Sequence, residues 1–218
     1  MSFDEDYFKE RKYSAKEELV SRHVLEVLKW ASKTAHINLL HGDGKKALDV
    51  GCALGYTSRV LSDLGYETIG SDISGWGTQQ AKNNSCSQFL VCDTQEALPL
   101  ALDSFDLVTC FDVLEHLSCP EKALRNMREV SKGAVVCTTP NKRVEKPIRK
   151  LLLDYDETHI NVKTLAAWRK ILAETIGEGF VLESFYDVAF RLGGKLFFKS
   201  IRIPTYGLTV RIVVKKQR

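Results

Sequence analysis

A loop with two glycines, placed between a predicted strand and a predicted helix, is the clearest place for chemistry in this sequence. The loop belongs to Ala47-Leu-Asp-Val-Gly-Cys-Ala-Leu-Gly55, in which Gly51 and Gly55 follow Asp49. Glycine lets the main chain turn tightly and lets a ligand approach the backbone. Asp72 ends the next predicted strand, where a carboxylate can hold both hydroxyls of a ribose. The pattern therefore predicts a cofactor that contains a ribose.

Two kinds of cofactor fit this outline, and the glycine spacing separates them. A dinucleotide requires the pattern G-x-G-x-x-G, whose amides and helix N-terminus hold the pyrophosphate. In that register Ala53 and Tyr56 stand at the second and third glycine positions, and only Gly51 is in place. The sequence therefore argues against a dinucleotide.

The elements that must position this loop alternate in a regular way. Short apolar runs separated by amphipathic stretches are typical of a parallel sheet with helices on both faces. The predicted strands cover residues 47–50, 67–71, 88–92, 105–110, 134–138, 180–188 and 207–215, and predicted helices cover 57–64, 120–131 and 163–175. In such folds ligands bind at the carboxyl ends of the strands. The residues at those ends include Asp49, Asp72, Asp93 and the pair Phe111-Asp112. One acid there is ordinarily a helix cap or turn residue, but acids at four successive strand ends indicate a single binding edge.

Taken in order, these motifs resemble those of the class I S-adenosylmethionine-dependent methyltransferase family, of the UbiE and UbiG small-molecule type. The resemblance runs over roughly residues 45–190, and its main motifs are Asp49 to Gly55, Val91-Cys-Asp93, Ser104 to Leu117, Pro120 to Val130 and Thr139-Pro-Asn141. Ala53 replaces the middle glycine of the family's first motif. The resemblance implies an α/β fold, a Rossmann-like three-layer αβα sandwich. Its seven-stranded, mostly parallel sheet has an antiparallel last strand between the fifth and the sixth.

The resemblance also implies a cofactor, S-adenosylmethionine, which leaves as S-adenosylhomocysteine. The residues expected to bind it are Asp49, Gly51, Cys52, Ala53, Gly55, Asp72, Ile73, Asp93, Thr94, Phe111 and Asp112. An acidic edge suits the cationic sulfonium. Methyl transfer is an in-line displacement, so the main task of the enzyme is to hold the nucleophile, the methyl carbon and the sulfur in line.

A base is needed only where the acceptor is protonated in its ground state. His116 and His159 are the candidates, since histidine titrates near neutrality and can accept a proton from a hydroxyl. A hydrogen-bonded structural role remains the alternative for each. Asp112, Glu115 and His116 could also gather a magnesium ion, because residues three apart share a helical face and carboxylate oxygens suit that ion. Since the same Glu-His pair occurs in relatives without a metal, we expect none.

The chain is predicted to form one domain over residues 1–218. A helical cap over 1–44 precedes the cofactor-binding core at 45–188, an insertion at 189–206, and the final strand at 207–218. The insertion, with Gly193-Gly194 and Leu196-Phe-Phe198, is interpreted as a lid, a membrane-facing hairpin or a packed excursion between the last two strands.

Composition limits the classes of protein that fit. The hydrophobic fraction of 44% and charged fraction of 27% suit a globular protein with one core. No apolar run approaches the roughly 18 residues of a membrane helix, and the acidic N-terminus has no signal-peptide pattern. We therefore expect a cytoplasmic protein. The six cysteines form no CxxC pair, which argues against a zinc site. After Asp187 the chain carries eight basic residues and no acid.

Three functions remain open at this point. The first is methyl transfer to a small molecule at oxygen, nitrogen or carbon. The second is an RNA or protein methyltransferase that uses the basic residues of 142–150 and the basic C-terminal segment, although neither an Asn-Pro-Pro-Tyr motif nor a Pro-Cys pair follows the relevant strands. The third is a cofactor-binding module without turnover, against which the intact Asp49, Gly51, Gly55 and Asp72 argue.

Overall fold

Eight strands form a single sheet in the computed structural model, which describes residues 3–85, 87–145, 147 and 156–216. The strands are β1 (Lys46–Val50), β2 (Glu67–Asp72), β3 (Gln88–Val91), β4 (Phe105–Phe111), β5 (Ser131–Pro140), β6 (Phe180–Leu192), β7 (Lys195–Arg202) and β8 (Thr209–Lys215). Their order is β3-β2-β1-β4-β5-β8-β6-β7. The first five pair in parallel, whereas β8 runs antiparallel between β5 and β6. The predicted Rossmann-like arrangement is confirmed.

Residues 142–145 are helical, and six further helices accompany the sheet in the described part of the chain. They are α1 (Glu5–Glu10), α2 (Glu17–Ala35), α3 (Tyr56–Asp63), α4 (Gly75–Asn84), α5 (Pro120–Val130) and α6 (Leu165–Thr175), with 3-10 turns at Tyr13–Lys16 and Leu114–His116. No helix in these described ranges has the length and apolar content that a membrane span requires.

Alternate side chains of the central strands pack on the two helix layers, one on each face of the sheet. Ala47 and Leu107 pack on α2 and α3, whereas their neighbours Leu48 and Val108 pack on α5 and α6. Successive strand residues point to opposite faces of the sheet, so each central strand supplies two cores. This three-layer packing brings the carboxyl ends of β1, β2, β3 and β4 to one edge.

The predicted count of seven strands is wrong, because the stretch 189–206 extends the sheet. Its first residues complete β6, and Lys195–Arg202 form β7, which pairs antiparallel with β6. Gly193 and Gly194 make the connecting turn with φ of 57° and 79°, the positive values that a two-residue hairpin turn requires.

Helix α4 had no counterpart among the predicted elements. Its sequence begins Gly75-Trp-Gly77, and glycine is a poor helix former. The helix begins because the hydroxyl of Ser74 accepts a hydrogen bond from the amide of Gly77 at 2.9 Å, an N-cap that satisfies a free donor of the first turn.

Candidate functional site

The glycine loop after β1 has a conformation that its two glycines permit. Gly51 has a φ of 73° and Gly55 a φ of 78°. A Cβ atom added to Gly51 would lie 2.1 Å from Cγ2 of Val113. Ala53, at the middle glycine position, also adopts a positive φ, of 47°. The alanine therefore takes the left-handed conformation that a glycine would take, at a steric cost of about 1–2 kcal/mol.

Asp72 ties the end of β2 to this loop. Its Oδ2 accepts a hydrogen bond from the amide of Ala53 at 2.8 Å, and its Oδ1 accepts one from the amide of Ser74 at 2.8 Å. Burial raises the pKa of Asp72, and the two amide donors oppose that rise. Each carboxylate oxygen has a second acceptor site, which leaves Asp72 able to bind ligand hydroxyls.

Asp49 lies beneath the loop rather than at its surface. Its side chain is buried and accepts hydrogen bonds from the hydroxyls of Ser58 at 2.7 Å and Thr109 at 3.0 Å. Burial raises the pKa of Asp49 to about 7. The carboxyl group therefore joins β1, α3 and β4 under the site and acts on a ligand only through the loop.

A first cleft opens above the loop and along the ends of β2, β3 and β4. The residues predicted to bind the cofactor that line it are Gly51, Ala53, Asp72, Ile73, Asp93, Thr94 and Asp112. The carboxylate of Asp93 accepts the amide of Gln95 at 2.8 Å. Seven of the eleven residues predicted to bind the cofactor therefore line one cavity.

Aromatic residues of the N-terminal segment cover this first cleft. Phe8 stacks on Trp76 of α4 with ring centroids 5.3 Å apart, and the hydroxyl of Ser74 donates to the carbonyl of Phe3 at 2.5 Å. Phe3 in turn meets His116 edge to face at 5.7 Å. These residues were not among the predicted site residues, because aromatic spacing in a helical segment is equally typical of packing.

A second cleft continues from the other side of the loop. Cys52 and Phe111, two of the remaining predicted residues, line it together with Thr57. Gly55 lines neither the first nor the second cleft; it is the N-cap residue of α3. The far wall comes from α2 and from the β6–β7 hairpin, through His23 and Phe198.

A third cleft holds most of the titratable groups. Its walls include Arg11, Glu115, His116, Glu145, Asp156 and His159. Tyr13 and Asp112 line the first, second and third clefts alike. The three cavities therefore meet at these two residues, and this junction is where a group can pass from one cleft to another.

His116 has one ring nitrogen engaged at the junction. Its Nδ1 lies 3.1 Å from the carbonyl oxygen of Thr158, so the hydrogen-bond pattern assigns the proton to Nδ1 and the lone pair to Nε2. Burial, and then the neighbouring His159, lower the pKa of His116 to about 4. The imidazole is therefore neutral near pH 7.

His159 is held between two carboxylates. Its Nδ1 lies 2.5 Å from Oε1 of Glu145, and its Nε2 lies 3.5 Å from Oδ2 of Asp156. Asp156 also contacts Arg11 at 3.1 Å, and its pKa is lowered: burial opposes this, but the hydrogen bond from Thr158 and the histidine outweigh it. No local sequence pattern marks Glu145, Asp156 or Arg11 as site residues, since only tertiary packing brings them together.

Glu115 is fully buried beside the two histidines. Its Oε2 accepts a hydrogen bond from the hydroxyl of Thr139 at 3.1 Å, while its Oε1 has no partner within the described residues. Burial raises the pKa of Glu115 well above its usual range. Ligand atoms of Glu115, His116 and His159 lie within 4.8 Å of one another, a spacing that a cation can also use. Asp112, from the set considered in the sequence, is not part of this group.

Two predicted features lie partly or wholly outside the described residues. In the basic stretch 142–150, the described residues are Lys142–Glu145 and Pro147, and Cys86 is not described. The other five cysteines form no disulfide.

The sequence is similar to those of known methyltransferases. A family model for a methyltransferase domain matches residues 20–177. The ubiquinone biosynthesis O-methyltransferase of Cereibacter sphaeroides is 35% identical over 106 residues, which are 46% of this chain and 43% of that protein. The enzyme of the same name from Paraburkholderia phymatum is 30% identical over 125 residues, 54% of this chain and 52% of that protein. The chain thus spans about half the length of the curated relatives it matches.

Solved structures give the same fold. A methyltransferase from Archaeoglobus fulgidus, described as dependent on S-adenosylmethionine, has a TM-score of 0.71 at 20% identity, covering 98% of this chain and 100% of that one. Magnesium protoporphyrin IX methyltransferase from Synechocystis, with bound S-adenosylhomocysteine, has a TM-score of 0.61 at 19% identity, covering 90% and 83%. Because the family model matches most of the chain, the protein belongs to the methyltransferase domain family.

Proposed function

We propose that the protein transfers the methyl group of S-adenosylmethionine to a hydroxyl oxygen of a small molecule, and that His116 receives the hydroxyl proton. The observation that carries the proposal is the position of His116, which lines both the first cleft and the third cleft. A group at that position can touch an acceptor in one cleft while the cofactor lies in the other. The curated relatives, named as O-methyltransferases, support oxygen as the nucleophile.

The first cleft fits the nucleoside part of the cofactor. Gly51 and Ala53 line this cleft, and Asp72 retains acceptor sites for the two ribose hydroxyls. We assign Asp93, which follows β3, to the adenine amino group, and Ile73 and Thr94 to the base, because all three line the first cleft. Asp49 acts as a positioning residue, because it fixes the loop from below through Ser58 and Thr109.

The second cleft fits the methionine part. Cys52 and Phe111 line it on the side of the loop, and Asp112 stands where it joins the other two clefts. The sulfonium supplies an activated methyl carbon when the cofactor is bound. Acidic residues around the junction favour this positive charge.

The chain's own contribution to the reaction is orientation and proton transfer. The acceptor oxygen forms its bond to the methyl carbon as the carbon–sulfur bond breaks, and the hydroxyl proton moves to Nε2 of His116. Contact with Thr158 keeps Nδ1 protonated, so the lone pair that accepts the proton is on Nε2. A positioned general base contributes about 10²–10⁴-fold to a rate, and the lowered pKa of His116 makes it a weak base, so we expect a contribution at the lower end of this range.

The test is turnover with a panel of small acceptors. The protein is incubated with methyl-labelled S-adenosylmethionine and with matched catechol, aniline and thiophenol probes, and S-adenosylhomocysteine and the methylated product are quantified by mass spectrometry. Methylation of the catechol oxygen in preference to the aniline nitrogen supports the proposal. Transfer confined to nitrogen would contradict it.

The same assay distinguishes an RNA or protein acceptor from a small-molecule acceptor. Contacts to phosphates give affinity a steep dependence on salt, so RNA binding is measured over a range of salt concentrations beside turnover with transfer RNA and with basic peptides. If small acceptors are not methylated, turnover on RNA with that salt dependence would indicate an RNA methyltransferase instead. Turnover on a peptide, again without small acceptors, would indicate a protein methyltransferase.

A further inference from the structure

The two faces of the β6–β7 hairpin differ in what they contact. The inner face points to α2 and the second cleft. On this face Asp187 lies opposite Ser200, contacts Arg211 at 2.7 Å and lies 3.2 Å from Nδ1 of His23. Phe198 of the same face lines the second cleft. The inner face is therefore packed against the rest of the protein.

The outer face consists of the alternate side chains Val188, Phe190, Leu192, Lys195, Phe197 and Lys199. The register places Phe190 opposite Phe197 and Leu192 opposite Lys195, and the two phenylalanine rings stack at 5.3 Å. Phe190 is 55% exposed and Leu192 is 67% exposed. Four apolar side chains thus form a continuous strip in contact with solvent, which is uncommon for a surface that has no partner.

The charges on the outer face are all positive and unpaired. Lys195 and Lys199 form no ion pair with any of the described residues, and no acid follows Asp187 in the sequence. By contrast, two arginines on the inner face are neutralised: Arg191 contacts Glu18 at 2.6 Å, and Arg202 contacts Glu183 at 2.8 Å. The outer face of the hairpin therefore combines exposed apolar groups with lysines that form no ion pair among the described residues.

We propose that the outer face docks on an anionic lipid surface. Phe190, Leu192 and Phe197 enter the boundary between headgroups and acyl chains, where aromatic and aliphatic side chains are favoured. Lys195 and Lys199 contact the headgroups with their flexible ammonium groups. Lysines at a sheet edge also discourage strand pairing, but that role does not call for a strip of exposed phenylalanines.

The shape of the hairpin supports a lipid rather than a protein partner. It projects as two strands, and its turn is Gly193-Gly194, at both of which an added Cβ would meet nothing within 4 Å. Such a narrow tip can enter an interface without displacing a neighbouring element. Since Phe198 on the opposite face lines the second cleft, docking would hold that cleft beside the membrane surface.

The experiment is flotation of the full chain with vesicles. One set contains phosphatidylcholine with phosphatidylglycerol, and the other contains phosphatidylcholine alone. We expect binding to the anionic vesicles that weakens with salt. Reversal of both lysines, in Lys195→Glu with Lys199→Glu, should weaken binding at least about tenfold. The matched control Lys82→Glu with Lys122→Glu changes two exposed lysines elsewhere and should bind like the wild type.

The apolar contribution is tested by Phe190→Ser with Leu192→Ser, which should also weaken vesicle binding at least about tenfold. An unchanged melting temperature and unchanged affinity for S-adenosylhomocysteine show that each variant is folded. Failure of the wild type to float with anionic vesicles would overturn the proposal, as would equal losses in the control. Self-association in ultracentrifugation that Phe190→Ser with Leu192→Ser abolishes, without vesicle binding, would assign the outer face to a second copy of the chain.

Discussion

Oε1 of Glu145 lies 2.5 Å from Nδ1 of His159, and the His159 ring meets the His116 ring edge to face at 4.7 Å. The carboxylate therefore fixes the orientation of one histidine, which in turn packs against the proposed base. Glu145 is almost fully buried, so solvent does not compete for this contact.

Glu145→Gln tests this arrangement. Glutamine preserves the shape but replaces a charge-assisted hydrogen bond by a neutral one, which is about half as strong. We expect kcat to fall about tenfold, with unchanged affinity for S-adenosylhomocysteine and an altered pH profile. Glu121→Gln, on α5, is the control, and equal losses in both variants would argue against a positioning role for Glu145.

His116→Ala tests the base itself. We expect kcat to fall about 100-fold, because general base catalysis contributes at least that factor, while S-adenosylhomocysteine binding measured by calorimetry changes little. The exposed His41→Ala is the control. Inactivation of the wild type by EDTA, with recovery on addition of magnesium, would instead assign Glu115, His116 and His159 to a cation.

Seven residues that line the first cleft could be predicted from the sequence because their signals are local. Gly51 and Gly55 mark positive φ angles, and Asp72 and Asp93 mark the ends of strands whose order follows from the alternation of elements. Local sequence signals do not show whether a side chain is buried, however. Asp49 belongs to the same motif, yet it lies below the loop and forms no part of the cleft wall.

In the third cleft only Asp112, His116 and His159 were predicted as site residues, because the other contacts there join distant parts of the chain. Arg11 reaches Asp156, and Glu145 reaches His159, without any spacing that a pattern would detect. The extra strand was missed for another reason. Gly193-Gly194 is a hairpin turn as well as a loop signal, and the turn is recognised only once the flanking residues are seen to pair.

Asp72→Ala should weaken binding of S-adenosylhomocysteine by about 1–3 kcal/mol, because charged hydrogen bonds to the ribose are lost. The variant also removes the acceptor for the amide of Ala53, so a lower melting temperature is expected. Calorimetry of Asp72→Ala beside the exposed Asp63→Ala measures both effects. Wild-type affinity in the Asp72 variant would show that the ribose binds elsewhere.

Gly51→Ala should abolish cofactor binding and destabilise the protein by several kcal/mol. The new Cβ would stand 2.1 Å from Cγ2 of Val113, and the φ of 73° disfavours any side chain. Gly75→Ala is the matched control, since nothing lies within 4 Å of its added Cβ and it begins a helix. Thermal melts and calorimetry compare the two; similar stability in both variants would contradict the loop geometry.

Asp49→Asn should change the dependence of stability on pH. Burial raises the pKa of Asp49 to about 7 in the folded state, whereas the unfolded chain releases this proton near pH 4. Between these values the folded state binds the extra proton, so the stability that Asp49 contributes is full below about pH 4 and is lost as the pH rises through 7.

The asparagine removes this titration but keeps both hydrogen bonds, since its oxygen accepts from Ser58 and its amide donates to Thr109. Free energies of unfolding from urea titrations are measured for both proteins at about pH 5 and pH 7.5. The wild-type value minus the variant value should fall by about 2–3 kcal/mol over that interval. Other groups titrate in both proteins and cancel in the difference, so a difference that does not change with pH would mean that Asp49 is ionised in the folded protein throughout.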